Sequence, residues 1–174
     1  CEITEQLHIK PFEKVVVLGD GKLGLITALT LSAQNVDVIL VGKHLNKLDI
    51  AKAQGVETSL LNDFVIEKKY DVVVEATGSI SGFETALALT KPRGVLVLKS
   101  TVAASKEFNL APIVIDEITV LGSRCGQFAP ALRLLKNNRI DFTPLISAVY
   151  DADDALEAFE KNKERDVLKV LLKF

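Results

Sequence analysis

Short apolar runs alternate along this chain with segments whose apolar residues have helical spacing. The first run, KVVVL, is not interrupted by regular polar positions, which is typical of a strand buried on both faces. The pattern predicts strands at 14–18, 36–41, 56–60, 71–75, 94–98 and 117–121. It predicts helices at 2–7, 23–33, 46–54 and 83–90. Strands that alternate with helices favour right-handed crossovers and a parallel sheet covered on both faces.

The pattern changes after Gly126. The remaining chain is more polar and has no glycine turns, with helical spacing at 129–137 and 153–162 and extended segments at 145–150 and 167–172. This segment can extend the sheet or complete a second lobe. We therefore predict two parts, 1–126 and 127–174.

A glycine motif joins the first strand to the helix that follows it. Gly19, Gly21 and Gly24 form a G-x-G-x-x-G directly after KVVVL and at the start of a helical pattern. The first glycine suits a tight turn, the second lets a phosphate approach the backbone, and the third lets the helix pack closely on the strand. Free amides and the positive end of the helix dipole attract a pyrophosphate. The motif therefore predicts a dinucleotide site.

The end of the second predicted strand bears on the choice of dinucleotide. A site for NAD usually carries Asp or Glu there, bonded to the ribose 2′-hydroxyl. This chain has Gly42 instead, followed by Lys43 and His44, with Lys47 nearby. A carboxylate would repel a 2′-phosphate, whereas Gly42 leaves room and Lys43 can pair with it. We therefore expect NADP to be favoured over NAD.

Turns rich in small residues follow the fourth, fifth and sixth predicted strands. They contain Thr77 and Gly78, then Ser100, then Ser123. Ligands of open parallel sheets bind beyond the carboxyl ends of the strands, so we expect these turns to surround a ribose and a nicotinamide ring.

Composition excludes several classes of protein. The 174 residues carry 21 Lys and Arg against 23 Asp and Glu, so the net charge is −2, which argues against a nucleic-acid footprint. Charges interrupt the apolar runs, which are too short for a membrane span, and we see no secretory signal. Cys1 and Cys125 lie too far apart in sequence to suggest a disulfide framework, so we expect a cytoplasmic protein.

The chain opens on Cys1 and lacks methionine, and we therefore interpret the sequence as a fragment.

Six segments together resemble the cofactor-binding half of medium-chain, zinc-type alcohol dehydrogenases. They are VVVLGDGKLGL, KLDIAKAQGVE, YDVVVEATGS, GVLVLKST, ITVLGSRCG and the ending DALEAFEKN…VLKVLLKF. The resemblance implies an α/β doubly wound parallel sheet, the Rossmann fold, with about six core strands in 1–126. It implies that 127–174 packs on this domain or on a catalytic lobe absent from the chain.

The resemblance also implies a function. The family moves a hydride between an alcohol and a ketone or aldehyde with NAD or NADP, as a homo-oligomer. The resemblance further implies that Lys169, near the C-terminus, contacts the pyrophosphate of the cofactor. We expect the cofactor to be bound by Gly19, Gly21, Lys22, Leu23, Gly24, Gly42, Lys43, His44, Thr77, Gly78, Ser100, Ser123 and Lys169.

The catalytic zinc of the family has no counterpart in this sequence. Such a site needs three protein ligands and one open position, and Cys1, Cys125, His8 and His44 have no ligand-like spacing. We therefore expect zinc only in the absent lobe, no catalytic residue in this chain, and no activity from the chain alone. Cys125 is interpreted as a packing residue or a neighbour of the nicotinamide rather than a nucleophile.

Two alternatives stay open and two are disfavoured. The chain can be a non-catalytic dinucleotide-sensing module, or part of a zinc-free quinone or enoyl reductase of the same superfamily. A short-chain dehydrogenase needs a Lys four residues after a Tyr, but Val74 and Asp154 stand at that distance from Tyr70 and Tyr150. A methyltransferase also requires an acidic residue near the end of the second strand, where Gly42 lies.

Overall fold

Six parallel strands form the central sheet of the computed structural model, which describes residues 1–101 and 107–174. The strand order is β3-β2-β1-β4-β5-β6, and every neighbouring pair is parallel. The strands are β1 (Val15–Leu18), β2 (Val38–Gly42), β3 (Glu57–Leu60), β4 (Tyr70–Glu75), β5 (Thr90–Leu98) and β6 (Thr119–Gly122). This order is that of a doubly wound dinucleotide-binding fold, so the predicted fold class is confirmed.

Helices follow β1, β2, β4, β5 and β6, whereas β3 leads to β4 without a helix, and one helix precedes the first strand. They are α1 (Glu2–Gln6), α2 (Lys22–Ala33), α3 (Leu45–Lys52), α4 (Ile80–Leu89), α5 (Ala111–Ile115) and α6 (Phe128–Lys136). Helix α5 was not predicted, because its five residues APIVI are too few to display helical periodicity.

The core lies in the centre of the sheet. All four residues of β1 are buried, as are Val72, Val73 and Val74 in the adjacent strand β4. Leu25 and Leu29 of α2 and Leu89 of α4 are also buried. Strands covered on both faces need apolar side chains at successive positions, which explains the unbroken valine runs.

The described chain forms two compact units, 1–140 and 141–174. The second unit contains β7 (Ile146–Asp151), α7 (Ala155–Lys161) and β8 (Lys169–Lys173), and its two strands pair in parallel. The first unit includes α6, which the sequence-based division at Gly126 had assigned to the C-terminal segment. No helix in the described part of the chain is both long enough and apolar enough to span a bilayer.

Replacing Val73 with Ala tests the position of the core. Val73 is 0% exposed, and we expect the substitution to lower the free energy of unfolding by about 2–3 kcal/mol through lost burial and a cavity. Val65, which is 66% exposed, provides the matched control, and Val65→Ala should stay within about 0.5 kcal/mol. Urea unfolding measures both, and equal losses would contradict the burial pattern.

Candidate functional site

A cavity of about 210 Å³ lies at the carboxyl ends of β1, β2 and β4. Its walls come from the turns that follow these three strands and from the start of α4. We call it the strand-end cavity. It adjoins the boundary between β1 and β4, where the strand order reverses, and open α/β sheets bind their ligands at this place.

Two glycines allow α2 to begin directly on the end of β1. Gly19 has a φ of +112°, and a Cβ on it would lie 2.5 Å from the carbonyl oxygen of Ala76. A Cβ on Gly24 would lie only 1.8 Å from the carbonyl oxygen of Gly19. Both positions therefore exclude any side chain, and the close packing predicted for Gly24 is confirmed.

Gly21 differs from these two glycines because its surroundings are open. It lies in the wall of the strand-end cavity and precedes α2, and a Cβ on it would meet no atom within 4 Å. The first turn of α2 contains no acidic residue, so nothing in that turn offsets the positive end of the helix dipole. The backbone at Gly21 is thus accessible to an anion.

Asp20 fills the space beside Gly42. A Cβ on Gly42 would lie 2.4 Å from the Cβ of Asp20 and 2.6 Å from its Oδ2. The sequence-based explanation, that Gly42 leaves room for a 2′-phosphate, is therefore wrong at this point. The room beside the Gly42 backbone is taken by a side chain of the glycine motif itself.

The Asp20 carboxylate holds the turn that follows β2. Its Oδ2 accepts hydrogen bonds from the backbone N–H groups of Lys43 and His44, both at 2.6 Å. The His44 Nδ1 lies 2.9 Å from the same oxygen. A carboxylate only accepts hydrogen bonds, so Nδ1 is the protonated ring nitrogen. Asp20 thus fixes both the backbone and the ring of His44.

Burial opposes the charged form of Asp20, but its hydrogen bonds favour that form. The N–H groups of His44 and Lys43 and the ring of His44 outweigh the desolvation, so the pKa of Asp20 lies below its ordinary value. The side chain is only 11% exposed. A fixed negative charge therefore lies in the wall of the strand-end cavity at neutral pH.

Glu75 organises the turn after β4. This buried residue accepts hydrogen bonds at Oε1 from the N–H of Thr77, at 2.7 Å, and from its hydroxyl, at 2.6 Å. Ser79 accepts a bond from the N–H of Gly82 at 3.2 Å and so caps α4. Glu75 is therefore engaged in shaping the turn.

The turns after β5 and β6 lie at the same edge of the sheet. The Ser100 hydroxyl accepts a hydrogen bond from the N–H of Gly78 at 2.8 Å. Lys99 donates from Nζ to the carbonyl oxygen of Arg124 at 2.6 Å and to the hydroxyl of Ser123 at 3.3 Å. Burial lowers the pKa of the Lys99 amino group. The turns after β4, β5 and β6 are thus joined by hydrogen bonds.

The predicted residues fall into three groups. Six line the strand-end cavity: Gly19, Gly21, Gly42, Lys43, His44 and Thr77. Six others lie in the first unit without lining it, in the first turn of α2 or in the turns after β4, β5 and β6: Lys22, Leu23, Gly24, Gly78, Ser100 and Ser123. Lys169 is the first residue of β8 in the second unit and is exposed. Contact of these residues with a cofactor stays a prediction.

Sequence reasoning missed Asp20, which lines the cavity together with six predicted residues. Asp20 occupies a variable position of the glycine motif, so the motif gives no signal for it. Its contact with Gly42 joins two strand ends that lie 22 positions apart in the chain. Cys125 is exposed, so its interpretation as a packing residue is wrong within this chain.

The described residues do not provide a metal site. Within 1–101 and 107–174, no three His, Cys, Asp or Glu side chains come together in a way that could hold a metal ion. Cys1, Cys125, His8 and His44 thus do not fit a zinc site. No step of a reaction is assigned to zinc in this chain.

Comparison with known proteins identifies relatives. A family model described as zinc-binding dehydrogenase matches residues 23–137. Sorbitol dehydrogenase of Mus musculus is 26% identical over 92% of this chain and 49% of its own length. The probable D-xylulose reductase A of Arthroderma otae is 27% identical over 98% of this chain and 53% of its own length. The chain thus spans about half the length of the curated relatives it matches.

A solved structure shows the same fold at similar identity. L-Idonate 5-dehydrogenase from Escherichia coli superposes with a TM-score of 0.85 at 25% sequence identity. The match covers 93% of this chain and 50% of that protein.

The charge of Asp20 should contribute to stability in a pH-dependent way. The pKa of Asp20 is lower in the folded protein than its ordinary value of 3.8, so ionised Asp20 stabilises the folded state. This stabilisation is fully present above pH 3.8 and is lost as the pH falls through the folded-state pKa. Asp20→Asn should therefore destabilise the protein at pH 7 and progressively less as the solution is acidified below 3.8.

Two measurements check this expectation. NMR of the side-chain carbon should show Asp20 titrating below the ordinary range, and urea unfolding of both proteins should give the free-energy difference at each pH. A difference that stays constant from pH 7 into the acid range would contradict the bonding of Asp20.

Proposed function

This chain belongs to the zinc-binding dehydrogenase family, and from that premise we propose that it is the nicotinamide-dinucleotide-binding part of an alcohol or polyol oxidoreductase. Its relatives carry the names of polyol and sugar-acid dehydrogenases and reductases. The substrate class proposed for the whole enzyme is accordingly a small alcohol or the matching ketone or aldehyde. The bound cofactor supplies the hydride chemistry, and the chain supplies binding and orientation.

The open backbone at Gly21 is the observation that carries the proposal. In this proposal the cofactor pyrophosphate lies against Gly21 and accepts hydrogen bonds from the first N–H groups of α2. Those N–H groups have no partner within the helix. Gly19 and Gly24 keep the turn close to β1 so that no side chain intervenes. The turn shaped by Glu75 contributes Ala76 and Thr77 to the wall of the same cavity.

We also propose that NADP is favoured over NAD, now on the basis of Lys43 and His44 rather than of space at Gly42. Both residues line the strand-end cavity, and Lys43 is exposed. The acidic group nearest to this corner is Asp20, whose Oδ2 already has three donors within 2.9 Å. That oxygen has little capacity left to accept a further bond, so a ribose hydroxyl would have to bond Asp20 through its other carboxylate oxygen.

Other features of the whole enzyme are proposals that derive from family resemblance. We propose that the cofactor-binding domain spans 1–126, that 127–174 packs on this domain or on a catalytic lobe, and that Lys169 contacts the pyrophosphate. We propose a homo-oligomer, and the position of β6 at the end of the sheet order supports this. Catalytic zinc, if the enzyme uses it, must take at least one of its three protein ligands from outside the described residues.

A Val side chain at Gly21 tests the pyrophosphate position. Because a Cβ there meets no atom within 4 Å and φ is −72°, Gly21→Val should fold, with a stability change of about 1 kcal/mol or less. Its affinity for NADPH and NADH should fall at least about tenfold.

The affinity is measured by titrating the reduced cofactor with protein and following the cofactor fluorescence. Circular dichroism verifies that the variant is folded. Gln34→Val, at the exposed C-terminal end of the same helix, is the matched control and should bind normally. Unchanged affinity of the Gly21 variant would refute the pyrophosphate assignment.

Separate titrations with NADPH and NADH test the cofactor preference. We expect tighter binding of NADPH, and we expect Lys43→Ala to weaken NADPH by about tenfold while NADH changes little, because the lost charge faces only the 2′-phosphate. Lys52→Ala, at the exposed end of α3, is the control. A preference of the unmodified protein for NADH would overturn the NADP proposal.

A further inference from the structure

The Asp20 side chain and a side chain at position 42 cannot both be accommodated, because they would occupy the same volume. The Asp20 side chain occupies the volume that a side chain at position 42 would need, since its Cβ, Cγ and Oδ2 all lie within 2.6 Å of a Cβ built there. An acidic residue at the end of β2 is therefore incompatible with Asp20 in its present place. Among the described residues that line the strand-end cavity, Asp20 is the one that carries a carboxylate, and it comes from the glycine motif.

We propose that Asp20 is a positioning residue for recognition of the adenosine 2′-phosphate, acting through Lys43 and His44 rather than by touching the cofactor. The inference rests on the proposed function and adds a residue to its cofactor selectivity. In a site for NAD, the acid at this corner bonds the ribose hydroxyls directly. Here the carboxylate is turned toward the backbone after β2 and is used to fix that backbone.

The hydrogen bonds of Asp20 determine how this turn is presented. Two consecutive N–H groups, of Lys43 and His44, converge on Oδ2, and this holds the start of the β2–α3 connection in one conformation. His44 is also the residue immediately before α3, and its side chain makes no capping bond to that helix. The Asp20 bonds thus restrain the N–H groups of Lys43 and His44, which both line the cavity, while the carbonyl oxygen of His44 accepts the first backbone bonds of α3.

The charge balance at this corner fits an anionic ligand. The charge of Asp20 is nearly buried and bonded to the turn after β2, whereas Lys43 is exposed and the His44 side chain is 43% exposed. With Nδ1 bonded to Asp20, the other ring nitrogen of His44 donates a hydrogen bond when the ring is protonated. The exposed ammonium group of Lys43 at this corner is a group that binds a phosphate monoester.

The test compares Asp20→Ala with Asp71→Ala as a matched control. Asp71 accepts a backbone N–H, from Lys14 at 2.9 Å, and pairs with Lys91, but it does so at the other end of the sheet. Both substitutions remove a carboxylate that fixes backbone, so both should lower the melting temperature. NADPH and NADH affinities are measured for each variant by calorimetric titration.

We expect Asp20→Ala to weaken NADPH by about tenfold or more and NADH by less than about threefold, so that the ratio of the two affinities falls. Asp71→Ala should leave the ratio unchanged. Asp20→Asn, which keeps an acceptor oxygen for the two N–H groups, should restore part of the lost NADPH affinity.

Other outcomes overturn the inference in distinguishable ways. If Asp20→Ala lowered the affinities for NADPH and NADH equally, Asp20 would be a general structural residue. A loss confined to NADH would make it a direct ligand of the ribose. Either result leaves the proposed function intact, whereas an unmodified protein that binds neither cofactor would overturn the proposed function as well.

The double variant Asp20→Ala with Gly42→Asp gives an independent measurement. Removing the Asp20 side chain empties the volume that a side chain at position 42 needs, so the carboxylate is returned to the end of β2. We expect NADH to be bound more tightly than NADPH by this variant. An unchanged preference for NADPH would show that the position of the carboxylate does not control selectivity.

Discussion

The close approach of α2 to the end of β1 is the constraint on which the rest of the site depends. Contact between the Gly24 position and the carbonyl oxygen of Gly19 leaves no space for even one carbon atom. This contact places the start of the helix, with its unpaired N–H groups, directly at the sheet edge. Gly21 then faces open space, and Asp20 extends to the neighbouring strand β2. A larger residue at position 24 would displace all three features together.

Electrostatics beside the turn after β2 follow from where the Asp20 carboxylate lies. A carboxylate at the end of β2 would project toward a ribose, but Asp20 reaches the same corner from the glycine motif, and its Oδ2 is engaged by two backbone donors. Its charge is retained because the hydrogen bonds outweigh burial. The exposed groups that remain are basic or neutral, namely Lys43 and His44. Whether the carboxylate belongs to position 20 or to position 42 thus changes which groups a ligand encounters at the end of β2.

The order of strands and helices was predictable because each element has its own pattern of apolar and polar residues within a short segment. Buried parallel strands require runs such as VVVL, and these runs are visible without knowledge of their neighbours. The glycine motif was equally informative, since its spacing reflects a turn within six residues. Short helix α5 was not predictable from five apolar residues. The residues lining the cavity were predicted in part, through their position after strands, but Glu75 and Asp20 were not identified as the groups that hold its turns.

The sequence by itself determined the doubly wound fold, the place of the glycine turn and the edge of the sheet at which the strand-end cavity lies, because each depends on periodicity or on spacing within one segment. Only the tertiary structure decided why position 42 is glycine. The answer depends on the distance between two side-chain positions that are far apart in the chain and become neighbours when β1 and β2 pair. Steric exclusion between residues of different strands leaves no periodic trace in a single sequence, so the apparent space for a phosphate proved to be the space of Asp20.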